Sequence, residues 1–268
     1  KLLGGSSSIN GLVYVRGNKL DYDTWAQLGN TGWSYDDVLP FFKKMENYQG
    51  EITEVRSTEG PLKISEVVDR NPIYEGLFKG AEEIGIPINK DYNGHEQEGI
   101  SYTQTTIFKG ERMSAEVAYL RPTKSRKNLK IITNSLVTKL LFDGKKCKGV
   151  KVKNKNKITD FFAQNEVILC GGAINSPQIL ELSGIGNRSL LEEKGISLVH
   201  ELKGVGENLR DHLGPRLVYN ITKRGISYND KARGINLIKQ VLKYVFKREG
   251  FLTLPSAPVL GFFKTRKE

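Results

Sequence analysis

The sequence predicts an α/β chain with an α+β part, and three observations predict it. A continuous apolar run, Val167-Ile168-Leu169-Cys170, ends in Gly171-Gly172, the pattern of a strand buried on both faces of a parallel sheet. Alternating apolar positions over residues 60–67 read as a half-buried strand, and the segments between 129 and 152, with a turn at Asp143-Gly144, read as further strands. Capped helix starts fall between these runs, at Ser34, Asn71-Pro72, Ser176-Pro177 and Ser189 with Glu192.

Taken in order, Gly4-Gly5-Ser6-Ser7-Ser8-Ile9-Asn10-Gly11 is dense in small residues and reads as a loop whose backbone comes close to something. Ser34 with Asp36 and Asp37 marks a helix start, with Pro40 opening a longer run of turns over 41–48. Residues 51–60 are polar and mark a boundary. A strand is expected over 60–67, then a helix with Ile73, Leu77, Ala81 and Ile84 along one face. Residues 85–115 lack a helical period and read as loops and short strands. Strands follow at 129–133, 137–142 and 147–152, with another at 161–163, then the apolar run at 167–170. A short helix from Ser176 stops at Gly184. Residues 196–202 look like a further strand, and Ile235, Ile238, Leu242 and Val245 trace a helix closed by Gly250.

Across 268 residues, 41 basic against 30 acidic side chains give a formal charge of +11. The excess sits in short lysine stretches such as Lys151, Lys153, Lys155 and Lys157, without interleaved stacking aromatics, so a solvated basic face is expected and not a nucleic-acid groove. No apolar stretch reaches the length of a membrane span. Two cysteines, Cys147 and Cys170, make no disulfide framework. Three scattered histidines, His95, His200 and His212, make no zinc site.

Two segments far apart carry the chemistry. The first is Leu3-Gly4-Gly5-Ser6-Ser7-Ser8-Ile9-Asn10, followed by Tyr14 and Gly17. The second runs without a gap from Gly172-Ala173-Ile174-Asn175-Ser176-Pro177 to Gly184-Ile185-Gly186. Between and after them stand Asp21-Tyr22-Asp23-Thr24-Trp25, Ala118-Tyr119-Leu120-Arg121-Pro122 and Asn208-Leu209-Arg210-Asp211-His212. Over residues 1 to about 212 the chain resembles the glucose–methanol–choline (GMC) oxidoreductase family. The stretch from Gly29 to Lys44 is similar to insect glucose dehydrogenase-like members, which would imply a secreted protein.

That resemblance implies an FAD-binding, Rossmann-like parallel sheet with helices and an antiparallel-sheet substrate domain, both incomplete. Residues 1–50 and 125–212 would form the FAD part, and 51–124 and 213–268 the substrate part. A diphosphate is held best by close backbone N–H groups and hydroxyls, and the resemblance places Gly5, Ser6, Asn10, Gly11 and Val13 along the flavin nucleotide. It places Val137, on a strand, beside the adenine. The implied reaction oxidises the CH–OH group of an alcohol or sugar by hydride transfer to flavin N5, with oxygen or a quinone as electron acceptor. The family's dinucleotide fingerprint would precede Lys1 and its catalytic histidine would follow Glu268, so no histidine here is assigned as the base. Two alternatives stay open: a flavin-containing lyase on the same scaffold, and an inactive relative.

Overall fold

The computed structural model describes residues 2–266. A tight 3-10 turn, Gly5–Ser8, lies inside the small-residue loop. Helix α1 (Lys19–Gln27) is capped by the Asn18 side chain. Helix α2 (Tyr35–Met45) opens at the expected place, with Ser34 and Asp37 exchanging side-chain and main-chain bonds in a capping box. Pro40 lies inside α2 and does not open a separate turn run, and Glu46–Tyr48 forms strand β1. Its missing N–H leaves the Asp36 carbonyl without a helical donor, which is tolerable because Asp36 is exposed to water.

Strand β2 (Leu62–Glu66) occupies the predicted segment. Helix α3 (Pro72–Glu83) starts as predicted, with Asn71 accepting from Ile73 N–H and Pro72 in the first turn. Its inward face is turned from the expected one. Leu77 and Ile84 are exposed while Tyr74 and Ala81 are buried, because Tyr74 and Phe78 pack their rings on Tyr102. Aromatic burial outweighs the aliphatic stripe. Short strands β3 (Gly99–Tyr102), β4 (Gln104–Thr105), β5 (Ile107–Phe108) and β6 (Glu111–Arg112) follow. A π-helical turn, Glu116–Leu120, then runs into α4 (Arg121–Thr123).

Next comes an antiparallel meander of β7 (Leu136–Asp143), β8 (Lys146–Asn154) and β9 (Lys157–Phe162). Helix α5 (Gly172–Leu182) begins four residues ahead of Ser176, so Pro177 is interior. Ser176 Oγ instead accepts from Gly171 N–H at 3.0 Å and draws the preceding turn into the helix. Gly184, at φ +91°, stops it as expected. Strand β10 (Ile185–Gly186), helix α6 (Arg188–Glu193) and strand β11 (His200–Glu201) complete this stretch, with β10 and β11 parallel. The cap of α6 is Asn187, which accepts from Ser189 N–H, and not Ser189 itself.

Three expected strands are corrected. Residues 129–133 form none, and 196–202 shrink to β11. The apolar run 167–170 forms no strand and is unpaired among the described residues, with Ile168 75% exposed and Cys170 exposed. A strand is a property of its partners as well as of its own residues, and no neighbouring strand of the described residues lies beside this one. Finally come α7 (Tyr228–Lys231), α8 (Gly234–Lys247) and β12 (Val259–Phe262). Arg248 takes the left-handed position that ends α8, ahead of Gly250.

The chain divides into two compact units, one of Lys1–Leu129 with Tyr219–Glu268, the other of Lys130–Val218. In the first, β1 pairs parallel with β2, β2 antiparallel with β4, and β3 antiparallel with β12. Tyr14, Tyr48 and Ile64 form its core, with Met45 and Leu62 packed on them. In the second, Leu140, Val152 and Leu191 are buried. Leu140 N–H donates to the buried Ser183 hydroxyl at the end of α5, 2.8 Å away. Among the described residues no helix is long and apolar enough to cross a membrane.

Candidate functional site

The small-residue loop of the first unit is held at both ends. At its entrance Arg112, on β6, reaches back with Nη1 to the Ser7 carbonyl (3.1 Å), the Asn10 carbonyl (2.9 Å) and Asn10 Oδ1 (2.8 Å). Ala115 N–H donates to Ser7 Oγ at 2.8 Å. At its exit the Tyr14 main chain is locked on β4: its N–H donates to the Gln104 carbonyl at 2.8 Å, and its carbonyl accepts from Tyr92 Oη at 2.9 Å. Val13, half-buried, bridges antiparallel to Thr105. The loop is a compact turn, with Gly5 N–H on the Leu2 carbonyl and the Ser8 hydroxyl on the Leu3 carbonyl, held in place from outside by these bonds.

Between the two anchors the chain is strained. Leu12 stands at φ +67°, a left-handed conformation that a leucine rarely adopts. Asn10 Oδ1 accepts its N–H at 3.2 Å, and Thr106 N–H donates to its carbonyl at 2.9 Å, so contacts on both sides impose the geometry. Strain held in this way is a feature of ligand-clamping segments.

Gly5, Ser6, Asn10 and Gly11 are exposed. Gly5 has φ +55° and open space where a side chain would start, and the Ser6 carbonyl accepts from Ile9 and Asn10 N–H. Of the expected cofactor residues, the fold therefore brings Gly5, Ser6, Asn10, Gly11 and Val13 together on one clamped segment. Val137 lies in the second unit, on β7 opposite Val152, beside a break in register that falls between Val137 and Lys139.

Behind the loop exit lies a buried charge cluster. Glu46, with no exposed surface, has Oε1 2.7 Å from Arg16 Nη2 and 3.0 Å from Arg56 Nε, and Oε2 accepts from Tyr14 Oη at 3.1 Å. Arg56 Nη1 also reaches Asp91 Oδ1 at 2.6 Å and Gln104 Oε1 at 3.0 Å. Two carboxylates thus balance two guanidiniums, as burial of charge demands. Burial, and after it the Glu46 carboxylate, pushes the Tyr14 phenol up to about 12. The phenols of Tyr92 and Tyr48 are raised further, again chiefly by burial. A cavity of about 600 Å³ on Tyr48, Glu66, Asp91 and Tyr102 is lined by none of the loop residues.

Arg112, Ser7 and the charge cluster escape sequence reasoning. A lone arginine in a loop-like stretch carries no signal, and its meaning comes only from the fold. By donor chemistry the loop fits a nucleotide cofactor: exposed backbone, a hydroxyl at Ser6, clearance at Gly5 and a fixed cation at Arg112 all suit phosphate oxygens. Phosphate-binding loops of dinucleotide-dependent proteins share this donor chemistry.

Residues 1–214 match the GMC oxidoreductase family, and the chain belongs to it. The oxygen-dependent choline dehydrogenase of Brucella anthropi is 45% identical over 213 residues, covering 80% of this chain and 39% of that protein. An alcohol dehydrogenase [acceptor] of Pseudomonas putida is 40% identical over 277 residues, covering 100% of this chain and 49% of its own length. Among solved structures, an FAD-dependent oxidoreductase from Chaetomium thermophilum superimposes with a TM-score of 0.88 at 32% identity, over 95% of this chain and 47% of that one. The chain thus spans less than half the length of these relatives. FAD is the cofactor of this family.

Proposed function

We propose that the chain is part of an FAD-dependent oxidoreductase that oxidises the CH–OH group of a small-molecule alcohol. The observation that carries this is the strained loop from Gly5 to Val13, clamped by Arg112 and Tyr14, with its backbone and small side chains exposed. FAD, when bound, supplies the two-electron acceptor, while the protein supplies placement and electrostatics. Ser6, Asn10, Gly11 and Val13 line the diphosphate and the ring system, Gly5 gives clearance, and Val137 contributes strand backbone beside the adenine. Residues 1–50 and 125–212 serve the cofactor, and 51–124 and 213–268 the substrate.

Within this class the glucose dehydrogenase-like reading rests on the resemblance over residues 29–44, whereas the matched relatives are named for choline and for alcohols. Anaerobic titration of the full-length, flavin-loaded protein with choline, simple alcohols and glucose tests the proposal. Bleaching of the oxidised flavin band by one of them is the expected result, and its identity chooses the substrate class. Turnover of a cyanohydrin without bleaching would establish the lyase instead. Reoxidation of the bleached protein by oxygen against a quinone then identifies the electron acceptor.

The Arg112 clamp gives a second check. Replacing Arg112 with Ala frees two loop carbonyls and the Asn10 side chain, and FAD affinity is expected to fall about tenfold or more, the worth of one charge-assisted bond. Equilibrium dialysis against free FAD measures it, and an unchanged affinity would count against the loop as the phosphate site.

A further inference from the structure

The late segment before β12 is docked on the loop. Ser256 N–H donates to the Gly11 carbonyl at 2.9 Å. Thr103 fixes the next two residues: its hydroxyl donates to the Ala257 carbonyl at 2.5 Å and its N–H to the Pro258 carbonyl at 3.0 Å. Pro255 is buried, while Ser256 is exposed. A side-chain carbon built on Gly11 would land on the Ser256 hydroxyl oxygen, with Ser256 Cβ 2.9 Å away. The Ser256 hydroxyl therefore fills the space that a residue-11 side chain would occupy, and among the described residues it has no hydrogen-bond partner. Gly11 is exposed as well.

We infer that Ser256 is a positioning residue of the flavin site, delivering to the bound flavin the hydroxyl that the loop itself lacks at Gly11. The inference rests on the proposed flavin role of the loop and extends it to a residue outside the matched family segment, which ends at residue 214. Gly11 explains itself on this reading: any side chain there would displace the serine. A hydroxyl is both donor and acceptor, so Ser256 can hydrogen-bond a flavin edge that gains charge on reduction, and such a bond favours the reduced form.

The test uses the full-length, flavin-loaded protein with three variants: Ser256→Ala, Ser256→Gly, and Ser256→Gly combined with Gly11→Ser. The main-chain bond from residue 256 to Gly11 survives in Ser256→Ala, so its thermal midpoint should stay at the parent value. Its visible flavin band should shift, its flavin potential should fall, and anaerobic reduction by substrate should slow roughly tenfold, the worth of one hydrogen bond, with KM unchanged. Ser256→Gly should behave likewise, and the combined variant, which returns a hydroxyl to the same space, should recover band and rate. An unaltered band and rate in Ser256→Ala overturns the inference while leaving the loop's flavin role intact. So does failure of the combined variant to recover while it still binds flavin. A parent protein that binds no FAD overturns the loop's role and the inference with it.

Discussion

Glu46 shows how one residue sets the stiffness of the loop exit. Its carboxylate has no exposed surface and faces Arg16, Arg56 and Tyr14. Replacing Arg56 with Met removes a cation shared by Glu46 and Asp91, and denaturant unfolding is expected to show a loss of about 3–5 kcal/mol, the cost of stranding a buried charge. Tyr14 responds to pH. Because its phenol is raised to about 12 in the fold, its contribution is full below about pH 10 and is lost as pH climbs through about 12. Urea midpoints measured up that range should fall, and Tyr14→Phe should flatten the fall. At this scale the sequence is legible only where chemistry is local. Gly5, Ser6, Asn10 and Gly11 announce a close-approach loop by themselves, whereas the Arg112 bond to the Asn10 carbonyl joins residues 102 apart in sequence, and nothing near Arg112 marks it.

Helices show the opposite balance. The cap at Ser34 and the Asn71-Pro72 start are written in neighbouring residues, so α2 and α3 begin where the sequence says. Removing the Ser34 hydroxyl in Ser34→Ala should cost about 1 kcal/mol, read as a lower thermal midpoint, by loss of the bond to Asp37 N–H. Prolines mislead in the other direction: Pro40 and Pro177 suggest starts but lie inside α2 and α5, because an exposed carbonyl can turn to water. Strands depend on partners. Residues 137–142 and 147–152 find each other across a short turn and form as expected, while 167–170 has the right residues and no described neighbour. The inward face of α3 follows the rings of Tyr74 and Phe78, which pack on Tyr102, and not the aliphatic spacing.

For the molecule as a whole, the α/β class and the family are legible because two long motifs stand in order at the two ends of the matched segment. Which distant segments pack together is less so: residues 219–268 join 1–129, and sequence texture does not reveal it. The chain spans 39% and 49% of two relatives, and Ile168 and Ile174 stand 75% and 64% exposed. Expressed as this span alone, it is expected to purify with well under one FAD per chain. The flavin-to-protein absorbance ratio measures this, and stoichiometric yellow protein would show that this span suffices.

The tie between Ser256 and Gly11 also orders events in time. Joining two segments so far apart in sequence is a non-local closure, and such contacts form slowly. During synthesis the glycine-rich turn leaves the ribosome first and must wait, unsupported on that side, until the stretch around Pro255 emerges. Maturation of the cofactor loop is thereby coupled to translation of a segment made long afterwards, so a nascent chain halted before Pro255 would carry the loop's sequence without its final shape.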